Sequence, residues 1–396
     1  MNIIHRPIID RLEEERDTKQ IIVLTGMRRV GKTTVLRYLF DRVESSNKVF
    51  LDLENPLNRK LFEEENYDAV WQNLLPYGVN NKNKSYIFLD EIQNLPGISS
   101  TVKYLYDHYN VKFYLTGSSS FYLKNLFSES LAGRKTVFEI FPLTFREFIN
   151  FKGVEAPVLD KNKISYELLI PYYREYMEFG GFPGVVLEEN FARKKSNLED
   201  IFQSYFEKDV KNLSDFREIA KVRDLILLLA SRVGQKLDVS KLATELELSR
   251  ITVDNYLNFL EQTYFVTLLP RYSKSIDVAT TGRRKVYFCD CGMTNFLGKV
   301  DEGSLFEQSI FQNLRVDNNL AYFDRDSQME IDFIANGVTA YEVKISPTNR
   351  DARDLEIRGG EAGIKNKFLV SLNYSVIRNA LPATSFLPGQ PEQRTL

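Results

Sequence analysis

The sequence predicts an α/β multidomain protein, and three observations carry that reading. An apolar, β-rich run at 21–25, "IIVLT", leads through a Gly-containing loop into "TTVLRYLFDRV", where Val35, Leu36, Leu39, Phe40 and Val43 fall at helical spacing. Further strand-like runs follow at 48–55, 85–93 and 111–120 with helical stretches between them, the alternation that builds a parallel sheet covered on both faces. Past residue 151 that alternation stops and the chain turns helical, then mixed. Four segments are expected: an α/β domain at 1–155, a helical linker or lid region at 156–215, a winged helix at 216–285 and an α+β domain at 286–396.

Each segment has its own signals. Strands apolar on both faces, such as "YIFLD" and "VKFYL", are expected in a sheet with both faces covered. Residues 164–215 read as helical, interrupted by "FGGFPG" at 179–184, whose glycines and proline break the helix in a tight turn. "VRDLILLLASRVG" is an apolar helix ended by Gly234. "SKLATEL" and "RITVDNYLNFLEQT" follow as two helices, with Ser240 and Ser249 as expected N-caps, and then a strand. That is a helix-turn-helix layout with a following strand. From "RKVYFCD" onward come a helix at 304–316 and strands in "LAYFDR", "MEIDFIA", "TAYEVKIS" and "KNKFLVSL".

Composition excludes several classes. The 396 residues carry a formal net charge of −2, so no whole-molecule field draws the chain to nucleic acid. The two cysteines, Cys289 and Cys291, form a C-x-C pair without a nearby His, too few ligands for a zinc site. They are expected to be reduced, structural thiols, and a cytoplasmic setting is expected with them. The first residues turn charged early and are not expected to be a secretory signal. No apolar run approaches the roughly 20 residues that span a bilayer, so no membrane partner is expected.

The strongest chemical signal is Gly26-Met27-Arg28-Arg29-Val30-Gly31-Lys32-Thr33-Thr34, which fits G-x-x-x-x-G-K-[ST] between a strand and a helix. Gly26 and Gly31 let the backbone wrap a phosphate, and the helix N-terminus adds a positive field. Arg28 and Thr34 belong to the same expected cradle. Lys32 is placed to reach the β- and γ-phosphates of ATP, and Thr33 to ligate Mg²⁺. Asp90 and Glu91 end the strand "YIFLD": Asp90 is expected in the magnesium shell, Glu91 as the group that orients and deprotonates water. Thr116 or Ser118, at the end of "FYLTGSSS", is expected to sense the γ-phosphate. Arg134 in "LAGRKT" is the expected positive charge for the transferring phosphate, from its own subunit or from a neighbouring one.

The run "LTGMRRVGKTT", "FLDEIQ", "LTGSSS", "LAGR", "FPLTFREF" and "GGFP" resembles, in order and over nearly the whole chain, a family of prokaryotic AAA-type ATPases. Members have an N-terminal AAA domain and a C-terminal half described as a domain of unknown function. The resemblance implies nucleotide binding at Gly26, Gly31, Lys32, Thr33 and Thr34, with Asp90 and Glu91 as the acidic pair. It also makes a homo-oligomer or a protein partner an expectation, because AAA domains often complete their sites with a neighbour's arginine.

Two further modules are expected. In "RITVDNYLNFLEQT", Arg250, Thr252, Asn255 and Asn258 face a groove if the winged helix contacts DNA, and "TTGRRKV" at 280–286 is then a basic wing near phosphates. The opposing reading makes the module a scaffold, since Asp254 and Glu261 would face the same phosphates. In the last quarter, Asn336-Gly337 signals a hairpin that brings Asp332 toward Glu342, while Glu342 and Lys344 share a strand face. Glu307 lies toward the buried stripe of the preceding helix. Two or three carboxylates suit Mg²⁺, and Lys344 would orient water. Glu307, Asp332, Glu342 and Lys344 together resemble the PD-(D/E)xK nuclease pattern, with Ile331-Asp332 in place of its usual Pro-Asp. The local acidic excess is a poor footprint for DNA. Three functions are therefore weighed: an ATPase, an ATP-gated metal-dependent DNA nuclease, and a non-hydrolysing ATP-dependent switch.

Overall fold

The computed structural model describes residues 4–117, 131–154, 162–211, 218–273, 282–325 and 329–385. The chain divides into two compact units, Met1–Phe141 with Gln262–Tyr264, and Pro142–Glu261 with Phe265–Leu396.

The first unit is built on five strands, β1 (Ile21–Thr25), β2 (Lys48–Asp52), β3 (Ser85–Asp90), β4 (Val111–Thr116) and β5 (Lys135–Glu139). All pair in parallel, in the spatial order β2-β3-β4-β1-β5. β1 and β4 are buried at every position, as central strands covered on both faces must be. Helix α1 (Pro7–Glu14) precedes the sheet, α2 (Lys32–Arg42) follows β1, and α3 (Ile98–His108) lies between β3 and β4. α2 turns Val35, Leu36 and Leu39 inward. Because β4 separates β1 from β3, the end of β4 lies between the loop after β1 and the acidic end of β3. The short piece Gln262–Tyr264 completes this unit: the Thr25 hydroxyl donates to the Tyr264 hydroxyl at 3.0 Å.

The second unit begins with α4 (Phe145–Phe151), started by a reciprocal capping box between Thr144 and Glu147. α5 (Lys163–Phe179) and α6 (Phe191–Tyr205) follow. Between them the predicted break falls where "FGGFPG" stands, and its cause is a buried carboxylate. Asp290 accepts the Gly181 amide at 2.6 Å and the Gln312 side chain at 3.0 Å. Gly180 has φ +78°, and a Cβ there would lie 1.8 Å from the Asp290 Oδ1.

Three helices come next, α7 (Ile219–Ala230), α8 (Val239–Leu246) and α9 (Arg250–Gln262), then the antiparallel pair β6 (Val266–Leu269) and β7 (Lys285–Phe288). Ser249 caps α9 as expected, accepting the Thr252 amide at 3.0 Å. Ser240 does not cap α8. That helix starts at Val239, two residues earlier than a Ser240 cap would give, and the cap is Asp238, in extended conformation, accepting the Lys241 amide. An Asx carboxylate reaches the first-turn amides from that position, whereas Ser240 is already helical.

α10 (Cys291–Leu297) and α11 (Glu302–Leu314) lead into five strands, β8 (Leu320–Arg325), β9 (Met329–Ala335), β10 (Thr339–Lys344), β11 (Asn366–Ser371) and β12 (Ala380–Pro382). Their order is β12-β11-β10-β9-β8, antiparallel from β8 to β10 and parallel from β10 to β12. Helix α12 (Asn349–Ala362) makes the crossover from β10 to β11. Asn336 and Gly337 turn β9 into β10 with φ of +52° and +69°, the left-handed pair at the centre of a tight turn that the Val338 amide closes on the Ala335 carbonyl at 3.0 Å. The boundary between units falls after Phe141 because Leu143, Phe145 and Phe148 belong to one core with Tyr173, Phe306, Phe333 and Phe368. Cys289 and Cys291 are free and buried, but Cys291 opens α10 rather than lying in a strand.

Gly180→Ala is expected to lower the stability of the second unit by about 3 kcal/mol or more, since it forces a positive φ and a clash on a buried carboxylate. Gly184→Ala, whose added Cβ meets nothing within 4 Å, is expected to change it by less than about 0.5 kcal/mol. Urea unfolding followed by circular dichroism reads both.

Candidate active site

The loop after β1 has the backbone that phosphate cradling needs. Gly26, Arg29 and Gly31 have φ of +131°, +66° and +100°, so the chain coils tightly instead of continuing the strand. Gly26 is required sterically: a Cβ there would sit 2.2 Å from the Ile140 carbonyl oxygen. No side chain caps α2 at Gly31, which leaves the start of the helix facing the loop. Lys32 is buried, and its ammonium donates to the loop carbonyls of Gly26 at 2.9 Å and Met27 at 2.8 Å. It therefore lies folded over the cradle, within reach of a phosphate held there. Thr34 is exposed and Arg28 half-buried on the same loop and helix start.

The acidic side is assembled through Thr116. Its hydroxyl donates to Asp90 Oδ1 and accepts the Glu91 amide at 3.0 Å. The Thr33 hydroxyl donates to the same Asp90 oxygen at 3.2 Å. Phosphate loop, β3 and β4 thus converge on one carboxylate. Burial raises the Asp90 pKa, an effect that the Thr116 and Thr33 hydrogen bonds oppose. A hard divalent cation there would offset that burial, and hydroxyl plus carboxylate is an oxygen donor set suited to Mg²⁺. Glu91 has φ +55°, a left-handed conformation costing on the order of 1 kcal/mol for a non-glycine residue. Its carboxylate accepts from Gln93.

Sequence reasoning missed the brace beneath this loop. Buried Arg6 donates to the Val30 carbonyl at 2.9 Å and to the Phe141 carbonyl at 2.9 Å, pinning the loop from a residue far away in sequence. Arg134 is not brought to the phosphate loop. Its carbonyl accepts the amide of Ile21, the first residue of β1, whereas the loop follows the last. The two ends are about 15 Å apart along five residues of strand. The Arg134 guanidinium pairs with Asp107 in two parallel hydrogen bonds of 3.0 and 3.1 Å. Thr116 is committed to Asp90 and Glu91, and Ser118 lies outside the described residues.

In the second unit, Asp332 and Glu342 stand on the paired strands β9 and β10, and Asp332 accepts the Val343 amide at 2.8 Å. Lys344 pairs with Glu342 at 2.8 Å, as the shared strand face requires, and Arg358 of α12 joins at 3.3 Å. Glu307 does not join them in a metal shell. Among the described residues no group of three or more Asp, Glu, His or Cys side chains is arranged to hold a metal ion. Glu307 instead accepts from the Tyr287 hydroxyl and faces Lys285 at 3.4 Å. Burial, reinforced by Asp332, pushes Glu307 and Glu342 above the ordinary glutamate pKa. The expected basic wing is likewise committed elsewhere: Lys285 is buried among carboxylates, Arg283 pairs with Asp238, and Arg284 with Glu261. On α9, Arg250, Asn255 and Asn258 are exposed, while Thr252 bonds Ser249.

Residues 18–149 match the family model described as an AAA domain, and residues 170–304 match one described as a domain of unknown function (DUF8612). An uncharacterized protein of Methanocaldococcus jannaschii, MJ1544, is 28% identical over 371 residues, covering 90% of this chain and 82% of that protein. An uncharacterized protein of Haemophilus influenzae is 27% identical over 343 residues, covering 83% of this chain and 82% of its own length. Among solved structures, the Walker-type ATPase PABY2304 of Pyrococcus abyssi aligns at 16% identity and a TM-score of 0.49, over 74% of this chain and 96% of that one. The first unit is a phosphate-loop α/β fold of the AAA type. No helix among the described residues is long and apolar enough to cross a membrane.

Arg6→Ala is expected to weaken binding of a fluorescent ATP analogue about tenfold, the loss of roughly 1.4 kcal/mol from two hydrogen bonds that shape the loop. Titration of the full chain measures it.

Proposed function

We propose that the protein is a magnesium-dependent ATPase whose nucleotide state acts on the attached C-terminal modules. The observation that carries this reading is the convergence of Thr33 and Thr116 on Asp90 beside the loop that Lys32 closes. In this reading the loop amides and Lys32 hold the β- and γ-phosphates, with Gly26, Arg28, Gly31 and Thr34 shaping the cradle. Thr33 and Asp90 hold Mg²⁺, which when bound supplies charge neutralisation. Glu91 accepts a proton from the attacking water, with its backbone fixed by Thr116. Arg134 would act only on the site of a neighbouring subunit, because it stands at the opposite end of β1 from its own loop.

The three helices and the β6–β7 pair support the winged-helix reading of 216–285, and exposed Arg250, Asn255 and Asn258 favour DNA as its partner. The order of α11, the β8–β10 meander, α12 and β11, with Asp332 and Glu342 on adjacent strands, supports a nuclease-like reading of the C-terminal sheet. Cleavage itself is disfavoured by the cations already paired with its carboxylates.

Lys32→Ala is expected to abolish detectable nucleotide binding and turnover. Glu91→Gln is expected to keep binding while lowering kcat by about 10² to 10⁴-fold, the range for a positioned general base. Phosphate release and equilibrium nucleotide titration separate the two. Tight binding without turnover in the unaltered protein would overturn the ATPase reading in favour of a switch.

A further inference from the structure

The residues expected to bind a metal in the C-terminal sheet do not fit one, and the reason is a side chain. Lys285, in β7, is only 2% exposed. Its ammonium is met by Glu330 at 2.5 Å, Glu307 at 3.4 Å and Asp332 at 3.8 Å. Three carboxylates from one helix and one strand thus converge on a single nitrogen. The other Glu330 oxygen pairs with Lys236 at 2.8 Å, and Lys236 also holds Asp324 at 2.5 Å. Lys236 and Lys285 are bridged as antiparallel neighbours, and both ammonium groups lie over the Tyr322 ring, at 5.8 and 5.6 Å. At the far side of Asp332, Glu342 is 4% exposed and its Oε2 has no hydrogen-bond partner among the described residues. A buried carboxylate oxygen left in this state points to an acidic centre with more negative charge than its donors satisfy.

We propose that Lys285 is a built-in cation, occupying the acidic centre of the C-terminal sheet in place of a divalent metal. The ammonium supplies the positive charge that Glu307, Glu330 and Asp332 require, and it is delivered by the β6–β7 ribbon rather than from solution. While β7 is docked, the centre takes no divalent ion. Without the ammonium, Glu307, Glu330 and Asp332 are left facing one point with no counter-charge, hard oxygen donors that can close on Mg²⁺ or Mn²⁺ in its place. A surface lysine pair would not behave in this way, since its loss leaves carboxylates in water. The inference rests on the second unit alone and is independent of the ATPase reading.

The test is thermal unfolding of the full, nucleotide-free chain with and without millimolar Mn²⁺. No Mn²⁺-dependent shift of the second unit is expected in the unaltered protein. Lys285→Ala is expected to melt lower without the ion and to gain on the order of 5 °C with it, the linkage expected at about a hundred times Kd. Adding Asp332→Asn to Lys285→Ala should remove that gain, which separates this centre from any ion held at the phosphate loop. If Lys285→Ala yields no soluble protein, Lys285→Gln, uncharged and of similar reach, carries the same comparison. A Mn²⁺ shift in the unaltered protein that Asp332→Asn abolishes overturns the proposal. So does a folded Lys285 variant that Mn²⁺ does not stabilise.

Discussion

A carboxylate removed from water must be met by donors or by a cation, and that constraint organises both units of this protein. Asp90, Asp290, Asp332 and Glu342 are all buried. Asp90 is met by two threonine hydroxyls from separate elements. Asp290 is met by two backbone amides and a glutamine, and the close approach of Gly180 and Gly181 follows from it. Asp332 and its neighbours are met by lysines. Unmet, each would cost several kcal/mol, a large share of what stabilises a domain. Where the donors are neutral and few, as at Asp90, the carboxylate remains able to gain from a divalent ion. Where a lysine is already in place, that opportunity is taken.

The same contrast separates what was legible in the sequence from what was not. The phosphate loop is readable because its chemistry is local: a strand, glycines at fixed spacing, a lysine and a helix occupy one continuous stretch. Asn336-Gly337 is readable for the same reason, since the turn type dictates the residues. The helix break at Gly180-Gly181 was visible, but the carboxylate packed against it was not, because Asp290 lies 109 residues beyond Gly181. Arg6 gave no signal at all: a lone arginine before a helix is ordinary until the loop it braces comes to meet it. Thr116 was ambiguous because Ser118, two residues on, offers the same hydroxyl on the same face.

Lys285 is the instructive failure. "TTGRRKV" reads as a basic wing, since three consecutive cations suggest solvent. Yet in "RKVYF" Lys285 and Tyr287 alternate with Val286 and Phe288, and all four are buried. A lysine inside so apolar a strand, with acidic residues predicted on a neighbouring sheet, is better read as a counterion than as a phosphate contact. Arg134 raises a different point. Its motif is continuous with the phosphate-loop domain, but it immediately precedes β5, at the end of the parallel sheet remote from the loop of its own subunit.

The tripeptide Gln262–Tyr264 bears on how the chain is made. It belongs to the first unit, yet it emerges between a helix and a strand of the second. The hydrogen bond from Thr25 to Tyr264 closes a loop of more than two hundred residues, a contact whose entropic cost grows only slowly with length but which cannot form early. During synthesis the phosphate-loop sheet therefore waits, one contact short of complete, until about half of its successor has been translated. A fragment ending at Phe141 would lack that contact permanently. The order of translation and the order of assembly do not coincide, and the first unit is finished only when about half of the second has been made.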